Sequence, residues 1–406
     1  MLTLAGAVEF EPSRDVEFFP QIPARPGILL IEMAPAGANP HLVRTADLRR
    51  ASERLLGAPE PGSKRLNLRD VAARVRYRVT GSKFEQTLAL YDHARANFPY
   101  RYRDSLRLRT PAMLKVNLRG EYPRCYVTRR LAGDGGFYFG PFASRRAADA
   151  FAEGFLDLFK IRRCQIKIRR DPQFPGCIYS EMKMCLAPCY AGCTPEEYDA
   201  EVATVLETLD TSGAALTAKF ERQREAASEA LDFERAAALH KRLEKVSAAL
   251  RGLPEIARRI EDLDAVILQR AAEEKTIAVF PIHGGILAEP LFLNFVELSS
   301  QPRSVEAILR ERLEPPTPAV TPQTIAAEPS HRETPPQDLR ARYGLRSAPA
   351  VLGENLALVT RWFYSKPRDG EIFFRTSEWP YRRILRACSR LLAPPSAFGD
   401  PKKAGD

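Results

Sequence analysis

Five of the seven cysteines in this 406-residue chain fall between Cys164 and Cys193, and they constrain its fold more than any other feature. Cys164, Cys177, Cys185 and Cys189 follow the spacing C-x12-C-x7-C-x3-C, in a stretch broken by Pro172, Pro175, Gly176 and Pro188. So many turn residues leave little room for a helix or a long strand, so order here depends on what the thiols bind. The opening stretch "MLTLAGAVEFEPSRDVEFFP" has Glu9 and Glu11 where a secretory signal needs a basic end and an apolar core. A cytoplasmic, reducing location is therefore expected, and clustered cysteines there are metal ligands or reactive thiols more often than bridges. Four thiolates suit a tetrahedral zinc or an iron–sulfur cluster, although the paired C-x2-C knuckles of zinc ribbons are missing. Six basic residues and no acid lie between Lys160 and Arg170, able to offset a thiolate-bound centre or to touch phosphate. Cys193 is a possible fifth thiol, while Cys125 and Cys388 read as buried small apolar residues.

A formal net charge of +10 points to a polyanionic partner. The length suits roughly two to four domains. No run of eighteen or more apolar residues occurs, so no membrane span is expected. Between Arg95 and Arg130 ten basic residues face two acids, with Tyr100, Tyr102, Tyr122 and Tyr126 interleaved. Guanidinium groups neutralise phosphate and tyrosine rings stack on bases, which suits nucleic acid. The candidate DNA contacts are Arg101, Arg103, Arg107, Arg109, Lys115 and Arg124, with Arg162 and Arg163 from the cysteine segment. The alternative is a solvated face whose tyrosines belong to a core.

Residues 219–246 are rich in strong helix formers and contain no Gly or Pro. Leu231 and Asp232 interrupt the rhythm, and Asp232 is placed to cap a second helix, with Arg235 where a capping box would have Glu. Phe233, Ala236, Ala237, His240, Leu243 and Val246 make an apolar stripe, so residues 212–252 read as a helical hairpin with a face to bury. Its candidate partner contacts are Phe233, Ala236, Ala237 and Leu243; His240 reads as a surface residue. Further on, alternation around Gly284-Gly285 signals a β-hairpin. Seven prolines between Glu314 and Asp338 mark a linker. A helix with Trp362 and Phe363 as core residues, a strand and a basic helix follow.

The stretches "EYPRCYVTRR", "GFYFGPFASRRAADAFAEGFLDLFKIRRC" and "CIYSEMKMCLAPCYAGCTPEEYDAEV" resemble, in order, the UvrC family of excinucleases, the incision proteins of bacterial nucleotide excision repair. The resemblance covers about residues 20–300 and is strongest over 122–246. It implies a 4Fe-4S cluster on Cys164, Cys177, Cys185 and Cys189, with zinc as the alternative. "ALDFERAAALHKRLEKV" looks like a UVR motif, which implies a UvrB-type partner. His240 stands where that motif usually has Arg.

The resemblance also implies an amino-terminal GIY-YIG nuclease domain, which needs a tyrosine base, an arginine on phosphate and a glutamate on a divalent metal such as magnesium. The matching positions hold Leu29, His41, Val43, Ala51 and, one residue uncertain in register, Leu90 or Tyr91, so no catalytic residue is assigned. His41, Arg44 or Arg49, and Glu85 or Asp92 are the available substitutes. The fold expected is α+β and multidomain: a degenerate GIY-YIG-like domain over 20–100, a basic and Cys-rich domain over 101–205 and a UVR hairpin over 212–252. An αβ segment over 260–313, a Pro-rich linker over 314–338 and a second αβ segment over 339–395 complete it. The RNase H-like and helix-hairpin-helix domains of the family are not recognisable. The function expected is a UvrC-like repair protein that binds DNA and UvrB without cutting. The alternatives are a divergent endonuclease making one incision and an iron–sulfur, redox-responsive DNA-binding regulator.

Overall fold

The run Gly27–Met33 sends its apolar side chains alternately into two cores, and the amino-terminal layer is built around it. The computed structural model describes residues 2–34, 37–59, 62–314 and 344–393. Strands β1 (Gly6–Glu9), β2 (Gly27–Met33), β3 (His41–Thr45) and β4 (Ala72–Val79) form an antiparallel sheet in the order β1-β4-β2-β3. Leu29 and Ile31 share a core with Leu48 and Leu55 of helix α1 (Leu48–Leu56). Ile28 and Leu30 share another with Phe84 and Leu88 of helix α2 (Lys83–Asn97). With both faces covered, the strand reads as a continuous apolar run rather than an alternating one. Asp47 and Ser82 cap the two helices, each accepting from a backbone N–H at 3.0 Å.

Strands β5 (Ala112–Asn117), β6 (Arg124–Thr128), β7 (Phe137–Phe142) and β8 (Arg258–Arg259) make a second sheet, ordered β6-β5-β7-β8. Helix α3 (Arg145–Leu156) packs on it, Phe151 stacking on Phe139 with ring centroids 5.9 Å apart. Helix α4 (Pro195–Asp210) starts with a reciprocal capping box between Thr194 and Glu197 and buries Tyr198, Val202 and Val205 in the same core. The cysteine segment runs between α3 and α4.

The expected helical hairpin follows as α5 (Ala214–Glu229) and α6 (Phe233–Leu250), its base held in the middle core by Leu216 and Val246. Gly213 opens it at φ +89°, and a Cβ there would fall 2.0 Å from Leu250 Cδ1. Gly213→Ala is therefore expected to lower stability by about 1–2 kcal/mol, read as a shift in the urea midpoint.

The third sheet contains β9 (Ala265–Arg270), β10 (Thr276–His283), β11 (Ile286–Leu287), β12 (Leu291–Asn294) and β13 (Glu371–Phe374). Its order is β11-β10-β9-β13, with β12 also paired to β10, all antiparallel. Gly284 and Gly285, at φ +54° and +78°, make the two-residue turn their sequence signalled. Helices α7 (Val305–Leu313), α8 (Pro349–Phe363) and α9 (Tyr381–Leu392) cover it, α7 and α9 sharing one core and α8 contributing to the other.

The αβ segments over 260–313 and 339–395 share one sheet, because β13 pairs with β9 and sets Ile372 opposite Ile267. Apart from Glu314, the expected linker over 314–338 lies outside the described residues. The amino-terminal layer also joins this one, with Trp362 packing on Phe84 at 5.6 Å and on the core that holds Phe280. No helix among the described residues is long and apolar enough to cross a membrane.

Candidate functional site

The cysteine segment is folded back on itself by main-chain bonds. Leu186 N–H donates to Lys160 O at 2.9 Å, Asp171 N–H to Cys189 O at 2.9 Å and Gly192 N–H to Ala187 O at 3.0 Å. Tyr198 pins it to the sheet, its hydroxyl accepting from Arg162 N–H at 2.9 Å and donating to Pro123 O at 2.8 Å. Ala187 and Ala191 take left-handed conformations on either side of Cys189. The result brings the four motif cysteines within electrostatic reach of one another. Burial pushes the Cys185 thiol up to about 11, and Cys164, Cys177 and Cys189 add to the shift. Burial also raises Cys189, with Cys177 and Cys164 contributing. All four are free thiols, and Ala187 N–H points to Cys185 Sγ at 3.3 Å. Among the described residues, no three or more His, Cys, Asp or Glu side chains form a group that could hold a metal ion as they stand. Cys193 and Cys125 belong to the middle core and Cys388 to the core under α9.

The candidate DNA contacts meet different fates. Arg101, Arg107 and Arg109 are exposed. Arg103 is exposed too, but donates to Glu354 Oε1 at 2.5 Å. Lys115 is corrected: it is buried, paired with Asp134 beneath the Tyr138 ring, because a buried ammonium needs a fixed partner. Arg124 lies 4.4 Å over the Tyr126 ring, Arg162 donates to Ile166 O at 2.9 Å and Arg163 pairs with Asp157 at 2.7 Å. Of the tyrosines, Tyr100 is exposed, whereas Tyr102 and Tyr122 are core residues. Tyr122 packs edge-on against Tyr198 at 5.3 Å.

The positions matching a GIY-YIG site are not gathered around an opening. Leu29 and Val43 are register partners in the apolar layer under α1, and Ala51 is buried on α1 itself. Phe10, Phe18 and Ile22 from the segment ahead of β2 fill the same layer. Tyr91 belongs to the opposite core, where its hydroxyl donates to Glu354 at 2.7 Å. Three of the substitutes are already engaged. Arg49 donates to Ile22 O and Pro20 O, Glu85 is buried with Arg78 at 3.0 Å, and Asp92 accepts from Leu2 N–H at 2.8 Å. His41 and Arg44 remain on β3, and burial, then Arg54, holds the His41 ring below its ordinary value.

Sequence reasoning missed Glu354. It accepts from the hydroxyls of Tyr91 and Tyr102 and from Arg103, tying the basic stretch to α8. The available signal was an acid and an amide, Glu354-Asn355, set inside the otherwise apolar run of α8.

On the hairpin, the expected single stripe is two. Leu239, Leu243 and Val246 turn inward, whereas Phe233 is 67% exposed, Ala237 is exposed and Ala236 is half-buried. Leu243 is thus corrected from partner contact to internal packing. Positions 239 and 240 differ by about 100° around the helix, enough to separate the two sets. Asp232 caps α6 as expected, accepting from Arg235 N–H at 3.1 Å, and His240 is a surface residue near Glu244. Next to the cap, Leu231 is 71% exposed and left-handed at φ +58°.

The family model for the UvrC/Cho excinuclease middle domain matches residues 112–208, which span strands β5 to β7 of the second sheet, α3, the cysteine segment and most of α4. The chain is 32% identical over 281 residues to the UvrABC system protein C of Desulforudis audaxviator, covering 68% of this chain and 44% of that one. It is 28% identical over 295 residues to the protein of the same name from Moorella thermoacetica, covering 72% of this chain and 47% of the relative. For Carboxydothermus hydrogenoformans the figures are 33% over 170 residues, 41% and 27%. The matches thus span less than half the length of these relatives. No solved structure matches.

Proposed function

We propose that this UvrC-like chain serves nucleotide excision repair as a DNA-binding adaptor, docking a UvrB-type protein through its hairpin and making no incision itself. The observation that carries the reading is the filled apolar layer around Leu29, Val43 and Ala51, in a chain whose middle part matches an excinuclease domain. With Leu90 or Tyr91 at the metal-ligand position, these residues supply no tyrosine base, no arginine for phosphate and no carboxylate for a metal, so each family source of transition-state stabilisation is missing from its position. A single-incision nuclease is the second reading, favoured only by His41 on β3, whose ring burial and Arg54 hold below its ordinary value.

Cys164, Cys177, Cys185 and Cys189 would hold a 4Fe-4S cluster. The influence of Cys164, Cys177 and Cys189 on Cys185 supports one shared centre, and a spacing without paired C-x2-C knuckles favours the cluster over a zinc ribbon. When bound, the cluster would cross-link the turn-rich segment and supply a redox-capable centre. The chain's own contribution is to hold the segment through Tyr198 and to neutralise thiolate charge with nearby basic residues.

The docking part rests on the hairpin tip. A leucine at positive φ costs about 1–2 kcal/mol, and exposing it beside Phe233 brings no burial in return. A partner that covers both would explain their presence. Phe233→Ala is expected to weaken binding of a UvrB-type hairpin by about 2–4 kcal/mol, measured by calorimetry. Leu231→Gly is expected to stabilise the free chain by up to about 1 kcal/mol while weakening the same complex. If both variants bind as tightly as the parent, the tip is not the docking surface.

A further inference from the structure

We propose that the phosphodiester backbone of a nucleic-acid strand binds in a cleft between the cysteine segment and the base of the helical hairpin. The cleft has a volume of about 640 Å³ and is walled by the cysteine segment, α4 and both hairpin helices. Its two acids are already engaged. Asp157 pairs with Arg163, and Glu201 accepts from the Lys160 backbone N–H at 2.6 Å. Lys183 comes from the cysteine segment, Lys219 from α5, and Arg242 and Lys245 from α6; all four are exposed and line the same space. Among the described residues none of these four has an ion pair, and Arg242 only lies over the Phe220 ring at 5.6 Å. With Lys160 and Arg163 beside them, these four make six cations against the two carboxylates of Asp157 and Glu201, an excess of positive charge focused in one cleft.

The kind of donor selects the ligand class. Lysine is a flexible point charge, whereas small anions of fixed shape are held by rigid forks and converging backbone N–H groups. Lysines spread along a groove track a repeating phosphate chain. The site rests on the reading of this chain as a DNA-binding protein and locates the contact away from the basic stretch at 101–109. Arg242 and Lys245 lie nine and twelve residues beyond Phe233, about 14–18 Å along α6 at 1.5 Å per residue. A strand at the hairpin base therefore leaves the tip open to a protein partner.

The test measures anisotropy of the full chain with a fluorescein-labelled 30-mer duplex, titrated between about 50 and 200 mM potassium chloride, where the phosphate contribution changes steeply. The triple variant Lys219→Glu, Arg242→Glu, Lys245→Glu is expected to bind at least about tenfold more weakly and to flatten the log–log salt slope by about 0.9 per lost contact. Lys219→Arg with Lys245→Arg should bind like the parent. Should the triple variant fail to fold, Lys219→Gln and Lys245→Gln alone should each flatten the slope by about 0.9. If the parent binds and the cleft variants keep its affinity and slope, while reversal of Arg101, Arg107 and Arg109 lowers both, the cleft is overturned and DNA binding stands. A parent that binds no DNA at 50 mM salt overturns DNA binding itself and the cleft with it. Unchanged DNA affinity with lost retention on immobilised poly-L-glutamate also overturns the proposal, in favour of an acidic polypeptide.

Discussion

Cys185→Ala is expected to remove essentially all iron and sulfide from protein purified without oxygen, where the parent is expected to carry about four of each per chain. The same change should abolish the visible absorption near about 400 nm and open the cysteine segment to protease. The reason lies in how little else orders this stretch. Ile166, Ile178 and Met182 point into solvent, and apart from the bonds of Leu186 to Lys160 and of Asp171 to Cys189 the segment's main-chain bonds are short-range. Burial and the other three thiols hold Cys185 protonated at neutral pH, so a thiolate there depends on positive charge brought by what it binds. Binding and local folding are then one event, and removing one ligand removes both. Cys193→Ala, a change in the middle core, should retain the iron. Stoichiometric zinc with no visible absorption would contradict the assignment.

Glu354→Ala is expected to cost about 3–5 kcal/mol, because it strands two buried hydroxyls and leaves Arg103 without its carboxylate. Tyr91 donates to Glu354 at 2.7 Å and Tyr102 at 2.8 Å, both from elements more than 250 residues earlier in the chain. Glu354→Gln keeps an accepting oxygen and should retain most of the stability. Urea unfolding measures both. A pH signature separates the charge from the shape. Burial, with the bond and charge of Glu354, raises the Tyr91 phenol, so its protonated form is favoured in the fold. That contribution is complete below the ordinary tyrosine value of about 10 and is lost as the pH rises through the folded value. The alkaline limb of the stability curve should flatten in Glu354→Ala. A variant as stable as the parent would show the network to be incidental.

These two positions mark what was legible in the sequence. The cysteine segment stood out because its thiols are local, within 26 residues, and such a density is rare in an ordinary core. The hairpin, its Asp232 cap and the Gly284-Gly285 turn were readable for the same reason: each depends on neighbours in sequence. The division of the hairpin stripe was not. Phe233 and Leu243 look alike as apolar letters, and only the position of α5 decides which is covered. The union of β9 with β13 spans the proline-rich stretch, and no local pattern encodes such a pairing. Lys115 misled because it follows a run of exposed arginines, while the strand that contains it turns inward onto Asp134. Lys183, Lys219 and Lys245 were unremarked because the cleft exists only once three segments meet.

The proposed adaptor role, in which the chain leaves DNA uncut, is tested by incision of a lesion-bearing duplex by the chain with UvrA- and UvrB-type proteins, ATP and magnesium. Products are read on a denaturing gel, beside a native gel for complex formation. No new nick is expected, together with a complex that contains UvrB-type protein, DNA and this chain. A magnesium-dependent nick that disappears in His41→Ala would contradict this and make the amino-terminal layer a working nuclease.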